Sequence, residues 1–141
     1  MVRRVVLDTS VVVAALRTRQ GAGNAVLRRV VARTLVPLAS PPLFLEYEEV
    51  LKRPEQRLVT GLMLNEVDEF LAELAALIEP VESHFTWRPQ VADPSDEMVL
   101  EAALNGNADA IVTYNVADFA EAGERFRIPI LTPAGLLKRA P

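Results

Sequence analysis

Several acids and one amide in this chain stand where they could share one piece of chemistry. Asp8 follows the apolar run Val5-Val6-Leu7 and precedes two hydroxyl residues, Thr9 and Ser10. A buried strand looks like this when it delivers a polar group to the edge of a sheet, and ligands collect at the carboxyl ends of parallel strands. Asp96 falls in the first turn of a helix announced by Asp93-Pro94-Ser95, and Asn115 and Asp118 follow a strand that finishes at Thr113. Three of these have ordinary explanations: Asp96 suits the positive end of a helix, and Asn115 with Asp118 forms an N-cap and N3 pair. Asp8 has none, because an acid closing a strand of valines costs free energy if buried unpaired. Carboxylates gathered without compensating lysines repel one another unless a cation sits between them, and hard oxygen donors select Mg²⁺ or Mn²⁺.

The elements that must position these groups alternate between strand and helix. A strand ending at Asp8 leads to a short helix over 11–16, a loop over 18–23 and a helix capped by Asn24 that runs to about residue 33. Residues 35–39 read as a second strand, short or at an edge because Pro37 lacks a ladder donor. Ser40-Pro41-Pro42 then opens a helix to about Lys52. Its apolar face is Leu43, Phe44, Tyr47, Val50 and Leu51, with Glu49 opposite and Glu46 and Glu48 flanking, so either flanking acid could reach a cleft. Arg53-Pro54 closes that helix, and a basic stretch to Arg57 follows. The longest amphipathic helix spans 64–78 and turns Glu66, Asp68, Glu69 and Glu73 to solvent. An edge strand within 79–88 would hold Val81, near a packing or surface His84 and a core or lid anchor, Trp87. Asp93 caps a helix ending at Asn105-Gly106. A buried strand over 108–113, a helix over 116–122, a strand over 128–131 and a helix capped by Thr132 complete the chain. This order predicts one domain over residues 1–141, an α/β fold with a parallel sheet and right-handed crossovers.

Composition narrows the function further. There is no cysteine, which excludes disulfides, thiolate nucleophiles and zinc-thiolate sites. No apolar run approaches the roughly 18 residues a spanning helix needs, so a soluble, cytoplasmic protein without membrane contact is expected. The net charge of −4 is unevenly spread. Residues 1–60 hold ten Lys/Arg against five Asp/Glu, and residues 61–141 hold five against fourteen, so a basic surface can adjoin an acidic pocket. Arg17 and Arg19, after the first helix, are candidates for phosphate contact.

Four segments together resemble PIN-domain ribonucleases: Val5-Val6-Leu7-Asp8-Thr9-Ser10, the Leu45-Glu46-Tyr47-Glu48-Glu49-Val50-Leu51 helix, Asp93-Pro94-Ser95-Asp96, and Ala108-Asp109-Ala110-Ile111-Val112-Thr113-Tyr114-Asn115. The resemblance spans nearly the whole chain, in order. It implies a three-layer α/β/α fold with a five-stranded parallel sheet, an acidic pocket for Mg²⁺ or Mn²⁺, and cleavage of single-stranded RNA, often as the toxin of a toxin-antitoxin pair. It also implies that Asp8, Glu46 and Asp96 are metal ligands, choosing Glu46 over Glu48. The fourth acid departs from the pattern: Thr113-Tyr114-Asn115 stands where Thr-x-Asp is usual, and the nearest acid is Asp118. Asn115 and Asp118 are therefore both candidate ligands, with Asp118 the fourth candidate catalytic acid. Thr9, Ser10, Arg17, Arg19 and Asn115 are candidate substrate contacts. A small antitoxin protein and a second copy of the chain are the expected partners. The rival readings are a PIN-like module that binds RNA or protein with degraded metal affinity, and a phosphoaspartyl enzyme. Ser10 argues against the latter, standing where the haloacid-dehalogenase-like pattern has a second Asp.

Overall fold

The computed structural model describes residues 2–82 and 93–139. His84 and Trp87 lie outside them. The sheet is built from β1 (Arg4–Leu7), β2 (Val36–Ala39), β3 (Glu79–Pro80), β4 (Ala110–Val112) and β5 (Ile130–Leu131), all parallel, in the order β3-β2-β1-β4-β5. The helices are α1 (Thr9–Arg17), α2 (Ala22–Val31), α3 (Pro41–Leu51), α4 (Pro54–Thr60), α5 (Leu64–Leu77), α6 (Pro94–Gly106), α7 (Val116–Phe126) and α8 (Pro133–Leu137). The chain moves outward from β1 through β2 to β3, then returns across β1 to β4 and β5. By the right-handed rule for such connections, the helices between β1 and β3 and those between β3 and β5 fall on opposite faces, the α/β/α layering expected, and α8 returns to pack on α2.

Burial follows from that layering. Val5, Val6, Ala110, Ile111 and Val112 are fully buried, as strands covered on both faces must be, and Leu38, Leu43, Val67, Leu100, Phe119 and Leu136 pack around them. At the amino end of the sheet, the Asp109 carboxylate accepts the backbone N–H groups of Arg3 (3.0 Å) and Arg4 (2.8 Å), which holds that carboxyl below its ordinary range. The Arg4 guanidinium pairs with Glu79 of β3 and donates to the Gly106 carbonyl at 3.0 Å, crossing from the central strand to the edge.

The second strand is short, one of the two alternatives that Pro37 left open, and three local expectations need correction. β2 is short but is not an edge, since it lies between β1 and β3. Val36 donates toward β1, to the Arg3 carbonyl at 2.9 Å, so Pro37 faces the other side, where pairing with β3 begins only at Leu38 and Ala39. No donor is required of the proline there. Asn24 does not cap α2: the helix starts after Gly21, and the Asn24 side chain donates to the Ala15 carbonyl at 2.9 Å, tying α2 to α1. Pro54 closes one helix and starts another, α4, at the first-turn position where proline is tolerated. The turn after α6 is made by Asn107, which takes the left-handed conformation at φ 50°. Edge strand β3 is present, but only as Glu79–Pro80.

Gly123 lets α7 approach β5, because a Cβ there would come within 2.5 Å of Ile130 Cγ1 and 3.0 Å of the Ile128 carbonyl oxygen. Gly123→Ala is expected to lower the unfolding free energy by about 1–3 kcal/mol through overpacking. Urea denaturation checks this, and an unchanged midpoint would contradict it.

Candidate acidic site at the switch point

The strand order reverses between β1 and β4, and the crevice at the carboxyl ends of those two strands is where open α/β sheets bind ligands. Asp8 stands at its floor, the first residue past β1 and the N-cap of α1. Its carboxylate does not cap the helix. Instead Oδ2 accepts the Ser10 hydroxyl at 2.8 Å and the Thr113 hydroxyl at 2.7 Å, the latter from the end of β4. With the side chain only 7% exposed, these bonds and the positive end of α1 offset the cost of burying its charge. The Thr113 hydroxyl also accepts the Asn115 N–H at 2.9 Å, fixing the turn into α7. From beneath, the fully buried Tyr47 hydroxyl donates to the Leu7 carbonyl oxygen, and its pKa is raised by burial and by the nearby Asp8 charge.

The remaining acids arrive on three helices. The Asp93 carboxylate accepts the Ser95 N–H at 2.8 Å and so starts α6, which sets Asp96 in the first turn. Burial, and then the charges of Asp8, Asp93 and Asp118, push the Asp96 carboxyl up to about 6. Asp8, Asp96 and Asp118 thus share one electrostatic environment. Glu46 accepts the Ser95 hydroxyl at 3.3 Å, next to Asp96, whereas Glu48 pairs with Lys52 at 3.1 Å and Glu49 with Arg53 at 2.9 Å. The two flanking acids of α3 therefore differ: Glu48 has a cationic neighbour in contact, and Glu46 lies beside the crevice. Asn115 is the N-cap residue of α7, though its side chain makes no capping bond, and Asp118 lies in the first turn.

Thr9 and Ser10 occupy the first turn of α1, and Arg17 lines a cleft that Ser10 also lines. Arg19 is exposed in the turn after α1 and is not part of that cleft. Spacing alone did not single out Thr113, Ser95 or Tyr47, which orient the acids or their supporting backbone. Thr113 had a legible signal, a hydroxyl closing a second buried strand. Glu97, one position after Asp96, is buried at 3% exposure and was also missed.

Every donor in the crevice is an oxygen, and Asp96 and Asp118 have no cationic partner among the described residues, so the donor set suits a hard divalent cation. As the side chains stand, no three acidic or histidine groups among the described residues close around one point tightly enough to coordinate an ion.

The comparisons agree with this geometry. The family model described as PIN domain matches residues 4–117, and the chain belongs to that family of nucleases. The fold is similar to that of VapBC-1 from nontypeable Haemophilus influenzae, with a TM-score of 0.62 and 14% identity over 93% of this chain and 98% of that one. It is also similar to FitAB bound to an IR36 DNA fragment, with a TM-score of 0.58 and 14% identity over 92% of this chain and 94% of that one. For FitAcB from Neisseria gonorrhoeae the TM-score is 0.54, with 16% identity over 92% and 98%. No curated protein sequence matches the chain. Among the described residues, no helix is long and apolar enough to cross a membrane.

The raised Asp96 carboxyl makes stability depend on pH. Its folded pKa of about 6 exceeds the ordinary 3.8, so the folded state holds this proton more tightly. The associated stabilisation is complete below about pH 4, is lost as pH rises to about 6, and stays lost above. Asp96→Asn should therefore gain on the wild type across that window when divalent cations are chelated. Urea midpoints of both proteins from about pH 4 to 7 check this, and parallel profiles would refute it.

Proposed function

We propose that this protein is a divalent-cation-dependent endoribonuclease that hydrolyses phosphodiester bonds of single-stranded RNA, with Asp8, Glu46, Asp96 and Asp118 as its acids. The observation that carries this reading is the gathering of acids at the switch-point crevice, where the partly buried Asp96 lies within reach of the Asp8 and Asp118 charges and has no ion pair among the described residues. Asp8, Glu46 and Asp96 would hold Mg²⁺ or Mn²⁺, with Asp118 or the Asn115 carbonyl oxygen completing the set. When bound, the cation supplies a water of lowered pKa and positive charge for the leaving oxygen. Ser10 and Thr113 hold the Asp8 carboxylate in one orientation, and Ser95 does the same for Glu46. Thr9, Ser10 and Asn115 are the proposed contacts of the phosphodiester, and Arg17 and Arg19 those of neighbouring phosphates.

VapBC-1 and FitAB are toxin-antitoxin proteins. By that likeness this chain is proposed as a toxin held by a small antitoxin. The exposed Leu58, at 86%, and the exposed Val59, Met63 and Leu64 supply apolar surface of the kind a second copy would cover in a homodimer. A cytoplasmic location accords with that role.

A second reading, a PIN-domain module that holds RNA or protein with little catalysis, is favoured by the neutral Asn115 and by the spacing of the acids. Titration calorimetry with Mn²⁺ separates the two, since no binding at millimolar metal favours the module. For the nuclease, Asp8→Asn abolishes Mg²⁺- or Mn²⁺-dependent cleavage of mixed single-stranded RNAs and leaves the circular dichroism spectrum unchanged; undiminished cleavage would overturn the reading. Asn115→Asp adds a carboxylate to Asp8, Glu46, Asp96 and Asp118 and should tighten Mn²⁺ binding in the same calorimeter, with no change expected if Asp118 already supplies that ligand.

A further inference from the structure

The acidic crevice continues into a hollow of different character. A cleft of about 440 Å³ is lined by Ser10, Val13, Arg17, Val50, Gln56 and Tyr114. Ser10 joins the two spaces, since its hydroxyl donates to Asp8 and its side chain also walls the cleft. The lining combines two valines, one aromatic ring, one cation and a carboxamide, which matches a ligand with a flat apolar face, an anionic group and polar edges.

Each part has its own physical basis. Tyr114 is 46% exposed, unusual for an aromatic residue adjoining the buried end of β4. It is braced at both ends. Its backbone N–H donates to Ser10 Oγ at 3.4 Å, and its hydroxyl lies against Gly23 of α2, where a Cβ would come within 3.2 Å of it. Arg17 closes α1 roughly 12 Å along the helix from Thr9, and helical side chains lean toward the amino end, which brings it back along the cleft toward Asp8. The Gln56 Oε1 atom is buried without a hydrogen-bond partner. Such an orphan acceptor carries a desolvation cost that a ligand donor relieves, and rotation about the last side-chain bond turns the carboxamide to meet one.

We propose that this cleft is a nucleotide subsite. The base of the residue adjoining the scissile phosphate stacks on Tyr114, its phosphate pairs with Arg17, and a donor of the nucleotide satisfies Gln56. The placement next to Asp8 rests on the nuclease reading; the stacking itself does not. Single-stranded RNA is recognised through splayed bases stacked on aromatic rings, with affinity from phosphate contacts. A protein segment in the cleft is the rival occupant.

The test measures two quantities. Binding of a short fluorescein-labelled single-stranded RNA carrying 2-aminopurine is followed by anisotropy and by quenching in an Asp8→Asn background, and cleavage is followed with Asp8 intact. Tyr114→Ala is expected to weaken binding roughly ten-fold, abolish the quenching and raise KM with kcat little changed, whereas Tyr114→Phe retains all three. Arg17→Ala should flatten the dependence of log affinity on log salt by about 0.7. RNA affinity and quenching unchanged in Tyr114→Ala would overturn the subsite and favour the protein occupant. Equal losses in Tyr114→Phe and Tyr114→Ala would also overturn it, since the ring would then not be the determinant. Tyr114-dependent RNA binding without any cleavage would support the subsite and sink the nuclease reading. Asp8-dependent cleavage indifferent to Tyr114 would do the reverse.

Discussion

The constraint on which the structure depends is the burial of one carboxylate. Placing Asp8 at the end of a fully buried strand costs several kcal/mol unless charge-assisted hydrogen bonds, each contributing about 1.5–3 kcal/mol, are waiting for it. Those bonds come from Ser10, in the first turn of α1, and from Thr113, 105 residues away in sequence at the end of β4. Thr113 reaches Asp8 only if β4 pairs directly with β1. The return of the chain across β1 and the satisfaction of Asp8 are therefore one requirement. Tyr47 adds a third anchor by holding the Leu7 carbonyl from α3, so the helix that carries Glu46 is fixed to the strand that carries Asp8.

Around that anchor the acids are arranged against their own electrostatic preference. Asp96 could have been paired with one of the chain's many arginines, and among the described residues it is not. Lys52 and Arg53, just past the end of α3, are paired with Glu48, Asp68 and Glu49. Asp96 thus stays under the charges of Asp8, Asp93 and Asp118, and that uncompensated charge is what the proposed cation would answer. The uneven split of basic and acidic residues along the chain has a parallel result, with Arg17 in the cleft and the carboxylates in the crevice beside it.

Much of this was legible in the residues because the signals were local. The valine runs ending in Asp8 and Thr113, the Ser40-Pro41-Pro42 and Asp93-Pro94-Ser95 helix starts, and the exposed acids of α5 each declare themselves within a few positions, and each is found as read. What was left wrong or open shares a cause. Asn24 has a capping residue's chemistry but uses it on the Ala15 carbonyl of another helix, and Pro37 leaves a short strand and an edge both open until its unpaired side proves to face the short β3. In both cases a tertiary partner, invisible at the local level, decides. The crevice was readable as a set of acids, whereas the hydroxyls that orient them and the Tyr114 and Gln56 walls could be recognised only once the strands were in place.

The outermost strands have a consequence for how this molecule can assemble. As described, β3 and β5 are two residues each, and proline occupies β3 at Pro80 and flanks β5 at Pro129 and Pro133. Such borders offer an incoming chain few free N–H groups, which suppresses both amyloid-like stacking and recruitment of a peptide as an extra strand. Among the described residues, the surface left for a partner protein is that of the helices, which is read through side chains instead of backbone and can vary without touching the sheet that holds Asp8.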